Sequence, residues 1–378
     1  MKIRRFIFLL IFTLSLAGQT GYALEEIPAS YPFPWKFKEP VAVADNEIPL
    51  TAVTGMVVPH HMVVRQKVYE AYKVFAQAQK DSPPEVIVLV SPNHYEAGKT
   101  NVQMNSTGFR TRFGTLEVDE ETEKTLDLPV NNFPFYSEHG ISAEVDFIKY
   151  FFPEVKVVPI ILKWNTPRKD LDKLAKKIAG LQKRVAIIAS IDFSHYQTES
   201  VADFHDLLAE NAIQRCDTSL ISKLEIDSRA SLYLLFKTLK NKKSCSSWIL
   251  SHTNSQQFSQ TFLTSTTSHF MALFGAKEEQ GKAKSVKKIA GLYTVIHKLS
   301  KGIAGQEDRF FMGNDEVFLK QQDGSLWRVD KSKKEVTAPI ENESIKEAVK
   351  KGDEQCQGKD FGIVRGKMTI WCFEDVIK

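Results

Sequence analysis

Apolar residues fall into two kinds of run along this chain. Segments 53–58, 86–90, 155–162 and 185–191 are short and nearly continuous, as expected of strands buried on both faces. Between them the apolar positions recur at helical spacing. Val68, Tyr69, Tyr72, Val74 and Phe75 mark a helix over 66–79, and similar patterns cover 143–152, 171–181, 200–215 and 228–239. Pro83-Pro84 introduces the second strand, and 270–274 fits either a last strand or a helix. This alternation over residues 51–276 predicts an α/β domain whose mostly parallel sheet is covered by helices on both faces.

The flanks read differently. Pro28, Pro32, Pro34, Trp35 and Pro40 make 24–50 an extended arm. Residues 277–305 are lysine-rich and carry few core positions, as in a linker. Beyond them, 306–378 predicts a small C-terminal α+β domain. There 317–319 and 326–329 flank Asp323-Gly324, a hairpin signal, a short helix covers 345–351, and strands at 363–364 and 369–373 flank Gly366. At the other end, Lys2, Arg4 and Arg5 precede an uncharged apolar run over 6–17 and the small-x-small triplet Gly21-Tyr22-Ala23. That is the pattern of a cleaved signal peptide over 1–23. It predicts a periplasmic or extracellular protein with no stable span, or one anchored by an uncleaved signal.

Composition adds little beyond this. Hydrophobic residues at 43% and charged residues at 25% suit a globular core. The net charge of +4 drops to about +1 without the three N-terminal cations, giving no reason to expect nucleic acid or acidic lipid as a partner. The expected partner is a small-molecule substrate or ligand. Four cysteines, with no CxxC pair, fall two and two. In an oxidising compartment they suit Cys216–Cys245 and Cys356–Cys372 bridges, with four reduced thiols as the alternative.

Chemistry concentrates at strand ends. His60 and His61 close the first strand, His94 follows the second in Ser91-Pro92-Asn93-His94, and His195 follows a later one in Asp192-Phe193-Ser194-His195. Ligands of open α/β sheets bind beyond the carboxyl ends of the strands. Histidines delivered there by separate strands predict a metal site with His60, His94 and His195 as ligands, Asp192 ligating or orienting a histidine. Glu138-His139-Gly140, between a loop and a helix, offers a proton-transfer pair or helix-terminal chemistry. His195, Asp192 and His139 are the candidate catalytic residues. His205, inside a polar helix, reads as a surface residue. His252 and His269 read as irregular-loop residues, either able to complete a metal shell. No G-x-S-x-G elbow, P-loop or dinucleotide fingerprint is present.

Six segments then occur in a telling order: Pro59-His60, Ser91-Pro92-Asn93-His94, the Phe113 to Asp119 stretch, Glu138-His139-Gly140, Val157-Val158-Pro159-Ile160-Ile161 and Asp192-Phe193-Ser194-His195-Tyr196. In these, residues 52–275 resemble the Memo family, whose bacterial members are called AmmeMemoRadiSam system protein B. The family is similar in fold to the catalytic subunit of class III extradiol dioxygenases (LigB-like). The resemblance implies a three-layer α/β/α sandwich, His60 and His94 as metal ligands, and Asp192 and His195 in the same pocket. It also implies a divalent metal ion, iron or copper ahead of zinc. Two departures stand out. No cysteine lies in 256–259, where better-studied relatives place a third ligand, and His61-Met62 follows His60 where a glycine is usual. The expected function is that of a metal-dependent oxidoreductase of dioxygenase type. The alternatives are a non-catalytic metal- or ligand-binding module and a metal-dependent hydrolase.

Overall fold

The computed structural model describes residues 26–29, 37–38 and 48–276, except 198, 262 and 264, together with short segments between 317 and 372. The predicted signal peptide, the linker and most of the arm lie outside the described residues. From the arm, β1 (Glu26–Pro28) is described.

The next elements are β2 (Thr51–Val58), α1 (Arg65–Gln77), β3 (Val86–Pro92), β4 (Val102–Met104), β5 (Gly108–Thr111), β6 (Gly114–Leu116) and α2 (Glu120–Leu126). They are followed by α3 (His139–Ser142), α4 (Val145–Phe151), β7 (Lys156–Leu162), α5 (Arg168–Ala179), β8 (Val185–Ser190), β9 (His195–Gln197) and α6 (Glu199–Arg215). The domain closes with α7 (Arg229–Asn241), β10 (Ser246–Asn254) and β11 (Thr266–Ala276). The 270–274 run is therefore strand.

One eight-stranded sheet organises these elements, in the order β10-β11-β2-β8-β3-β7-β4, with β9 paired to β11. Its central strands β2, β8, β3 and β7 are parallel, and β4, β10 and β11 run antiparallel at the edges. β1, β5 and β6 form a separate three-stranded sheet.

Both faces of the central strands are buried, which is why their sequences are continuous rather than alternating. Val86, Val88 and Val90 join one apolar cluster with Leu174, Ala212 and Leu235 of α5, α6 and α7. Ile87 and Leu89 join another with Tyr72, Phe75 and Phe147 of α1 and α4. Each such fully buried aliphatic side chain contributes roughly 1.5–3 kcal/mol. A disulfide joins Cys216, just past α6, to Cys245, just before β10. Cys356 lies outside the described residues.

Nearer the C-terminus, β12 (Val317–Lys320), β13 (Leu326–Val329), β14 (Val336–Thr337), β15 (Phe361–Val364) and β16 (Thr369–Cys372) form an antiparallel sheet in the order β14-β13-β12-β15-β16. β12 and β13 are the two runs that flank Asp323-Gly324. Most of the helix expected over 345–351 lies outside the described residues.

Candidate metal centre

Parallel pairing places the key residues side by side. Val58 of β2 stands in register with Ser190 of β8. His60 and Asp192, each two residues further on, leave the sheet together, and His60 Nε2 lies 3.3 Å from Asp192 Oδ2. β8 also pairs with β3, whose end leads into His94. A second carboxylate arrives from outside the sheet. Asp227 directly precedes Ser228, the N-cap of α7, whose side chain accepts from Ser231 N. The Asp227 and Asp192 segments are tied reciprocally. Asp192 N donates to Asp227 Oδ2 at 3.1 Å, and Asp227 N donates to the Asp192 carbonyl at 3.1 Å. Asp227 Oδ2 then reaches His60 Nε2 at 3.0 Å and His94 Nε2 at 3.8 Å.

His94 is held from the opposite side. Buried Glu138 accepts from His94 N at 3.0 Å and stands 2.5 Å from His94 Nδ1, leaving Nε2 for the pocket. Glu138 is also the N-cap of α3, accepting from Gly140 N. It therefore fixes the helix that begins with His139 as well as the ring of His94. A Cβ on Gly140 would meet Ser91 Oγ at 2.0 Å and His60 Nδ1 at 3.3 Å, so only glycine lets α3 come this close to the strand ends. The result is two overlapping groups. The ligand atoms of His60, His94 and His139 lie within 4.8 Å of one another, and so do those of His60, Asp192 and Asp227.

The electrostatics follow from this crowding. Burial alone would lower the pKa of His60, but the carboxylates of Asp192 and Asp227 overcome it and raise it to about 10. Asp227 is shifted the opposite way. Burial would raise it, yet His60 and His94 hold it well below the usual carboxylate range. His94 is likewise raised against burial by the carboxylates of Asp227 and Glu138. His139 is lowered to about 4, by burial first and then by His94 and His60. Behind the site, burial pushes Glu144 up to about 8, although Tyr72 donates to it at 2.8 Å.

A family model described as Memo-like protein matches residues 41–256, more than half of the chain. The chain belongs to the Memo family. It is similar to a MEMO1 family protein of Caldivirga maquilingensis, 32% identical over 174 residues, covering 44% of this chain and 61% of that one. A Pyrobaculum aerophilum MEMO1 family protein is 32% identical over 143 residues, 35% of this chain and 50% of that one. A Desulfurococcus amylolyticus relative is 30% identical over 198 residues, 49% and 69% of the two chains. The match thus spans between half and somewhat over two thirds of the length of these relatives. An uncharacterized Escherichia coli K12 protein of solved structure overlaps 59% of this chain and all of its own, at a TM-score of 0.36 and 12% identity, too distant to bear on the chemistry.

Within this Memo domain, the described residues fit a divalent cation on their own chemistry. Two imidazoles and two carboxylates converge, and Asp227 Oδ1 is buried without a hydrogen-bond partner. Buried polar atoms are ordinarily satisfied, so this oxygen is a place where a positive charge would be stabilised. At neutral pH the proton on His60 balances the carboxylates; a metal ion would take over that role.

The structure thus gathers His60, His94, His139 and Asp192. His195 stands outside both ligand groups. After Asp192 the chain turns away through buried Phe193 and Ser194, and β9 pairs His195 with Thr267 of β11. There it acts electrostatically on Asp227, His61 and His269. His205, read above as a surface residue, is buried and ion-paired with Glu225, because α6 packs against the chain leading to α7. His252 and His269 sit on strands β10 and β11 rather than in irregular loops. Asp227 escaped the sequence reading. Its one signal was a capping pattern, Asp227-Ser228 ahead of a helical run; such a helix start lies at the carboxyl edge of a parallel sheet.

Proposed function

We propose that this protein is a metal-dependent oxidoreductase of dioxygenase type, built on a three-layer α/β/α domain and acting on a small substrate. The observation that carries the reading is the meeting of His60, His94 and Asp227 around buried, partly unsatisfied carboxylate oxygens. Two histidines and one carboxylate form the ligand type of non-haem iron(II) sites with open positions, which favours iron ahead of copper and zinc. When bound, the metal supplies Lewis-acid and redox chemistry beside the substrate.

The chain's own residues do the rest. Glu138 fixes the ring of His94 so that Nε2 faces Asp227. Asp192 holds the His60–Asp227 corner through its backbone and its carboxylate. His139, held neutral by burial and by His94 and His60, has its ring centre 3.9 Å from that of His94 and 5.0 Å from that of His60, and is the first candidate to take a substrate proton. His195, outside the two ligand groups but acting electrostatically on Asp227, is the second candidate base.

We further propose that the protein is exported, on the strength of the N-terminal basic-apolar-small pattern and the Cys216–Cys245 bridge. No helix among the described residues is long and apolar enough to cross a membrane. The test of activity is oxygen uptake by iron-loaded protein with catechol-type substrates. Uptake that disappears in His94→Ala supports the reading. Bound metal with no turnover of any such substrate would instead leave a binding module.

A further inference from the structure

A second set of histidines lies beside the centre described above, outside both of its ligand groups. His61 Nδ1 and His269 Nε2 are 3.0 Å apart. They come from positions 208 residues apart in the chain, one at the end of β2 and one within β11. The other nitrogen of His269 faces Thr253 Oγ1 at 3.3 Å, across the β10–β11 pair. His195 is in register with Thr267, two residues before His269 on β11. Alternate residues of a strand share a face, so His195 lies on the same side as His269. His269 is fully buried, while His61 is half-buried and gives access from solvent.

We infer that His61 and His269, delivered by different strands, are the protein ligands of a second cation site that takes a late first-row divalent ion such as zinc or copper, with water completing the shell. The inference goes beyond the proposed function and does not depend on it. Three points of chemistry carry it. Among the described residues no carboxylate oxygen stands within ion-pair distance of either ring, so the ligand atoms on offer are imidazole nitrogens, which select zinc, copper or nickel over magnesium, calcium or manganese. The nitrogens need separate only slightly, to about 3.3 Å, to share a tetrahedral zinc with bonds of about 2.0–2.1 Å. Finally, Asp192 links the two sites. Its Oδ2 faces His60, and its Oδ1 accepts from the backbone N–H of His61 at 3.3 Å, fixing the direction in which His61 leaves the strand.

The test is metal stoichiometry under buffered free zinc, measured on the full chain by elemental analysis after gel filtration. The wild type is expected to retain two equivalents. His269→Gln and His61→Gln should each retain one, and so should His94→Ala, which strips the other site. Circular dichroism checks the fold of each variant. His61, being half-buried, provides the variant least able to disturb packing. One equivalent in the wild type, lost only in His94→Ala, overturns the inference and leaves the first centre standing. Two equivalents in the wild type, both kept by His61→Gln and His269→Gln, also overturn it. A single equivalent lost in His61→Gln but kept in His94→Ala would uphold this site and defeat the reading of the first.

Discussion

Two groups of histidines leave the same end of one sheet, and the protein treats them in opposite ways. His60 is buried among carboxylates and has its pKa raised to about 10. His269 is just as buried, but its neighbours are other histidines, and it falls to about 2, by burial first and then through His61, His195 and His252. Burial penalises the charged imidazole in both places; only the presence of Asp192 and Asp227 reverses the outcome. The residue type alone does not decide whether a strand-end histidine carries a proton. The neighbouring carboxylates do, and here one of them, Asp227, arrives from just ahead of α7, far along the chain.

The largest way to break this contrast is to remove its negative half. Asp227→Asn should weaken metal binding roughly 100-fold or more, beyond what loss of an outer-shell partner usually costs. His61→Gln should leave that affinity at the first centre unchanged. Both are read by competition titration with a metal indicator.

The pH dependence of stability sharpens the contrast next. In metal-free protein His60 is protonated in the folded state and has a folded pKa above its unfolded value near 6.5. Its contribution is complete below pH 6.5 and is lost as pH rises toward 10. His269 has a folded pKa below its unfolded value, so the folded state gains from its neutrality above pH 6.5 and loses that contribution as pH falls toward 2. Thermal melts of metal-free protein should therefore fall on both sides, the alkaline limb shrinking in His60→Gln and the acid limb in His269→Gln, with His94 carrying part of the first and His139 and Asp227 part of the second. Metal loading should flatten the alkaline limb, because the cation replaces the proton.

Smaller effects probe the scaffold. Gly140→Ala forces a methyl group against Ser91 Oγ and toward His60 Nδ1. It should cost about 1–3 kcal/mol by denaturant unfolding, as overpacking does, and weaken metal binding with it. Tyr72→Phe removes a buried hydroxyl that donates to Glu144. It should cost about 1–2 kcal/mol, the price of a buried polar partner lost, with little change in metal affinity.

How much of this was legible beforehand follows from where the information lies. The central strands were readable because both their faces are buried, so 86–90 and 185–191 carry unbroken apolar runs. The short strands β4, β5, β6 and β9 have three or four residues each and hold their place by pairing rather than by pattern. β10 alternates too weakly to stand out, being only partly buried along most of its length. In the site, His60, His94 and Asp192 were visible as residues just past strand ends. His139 was visible in Glu138-His139-Gly140, though its place among the ligand atoms depends on how closely Gly140 lets α3 approach. Asp227 was not, since its one local signal, a carboxylate just ahead of the Ser228 helix cap, marks a helix start and not a ligand. His195 was visible but its direction was not, because the turn through Phe193 and Ser194 is set by burial and by pairing with β11.

The most direct measurement is iron retained per chain after anaerobic loading with ferrous ion and gel filtration, compared among wild type, His94→Ala and Asp227→Asn. The wild type should hold iron and both variants should lose it while keeping their fold by circular dichroism. Equal iron in all three, or none in the wild type, would contradict the assignment of His60, His94 and Asp227 as the centre of this protein.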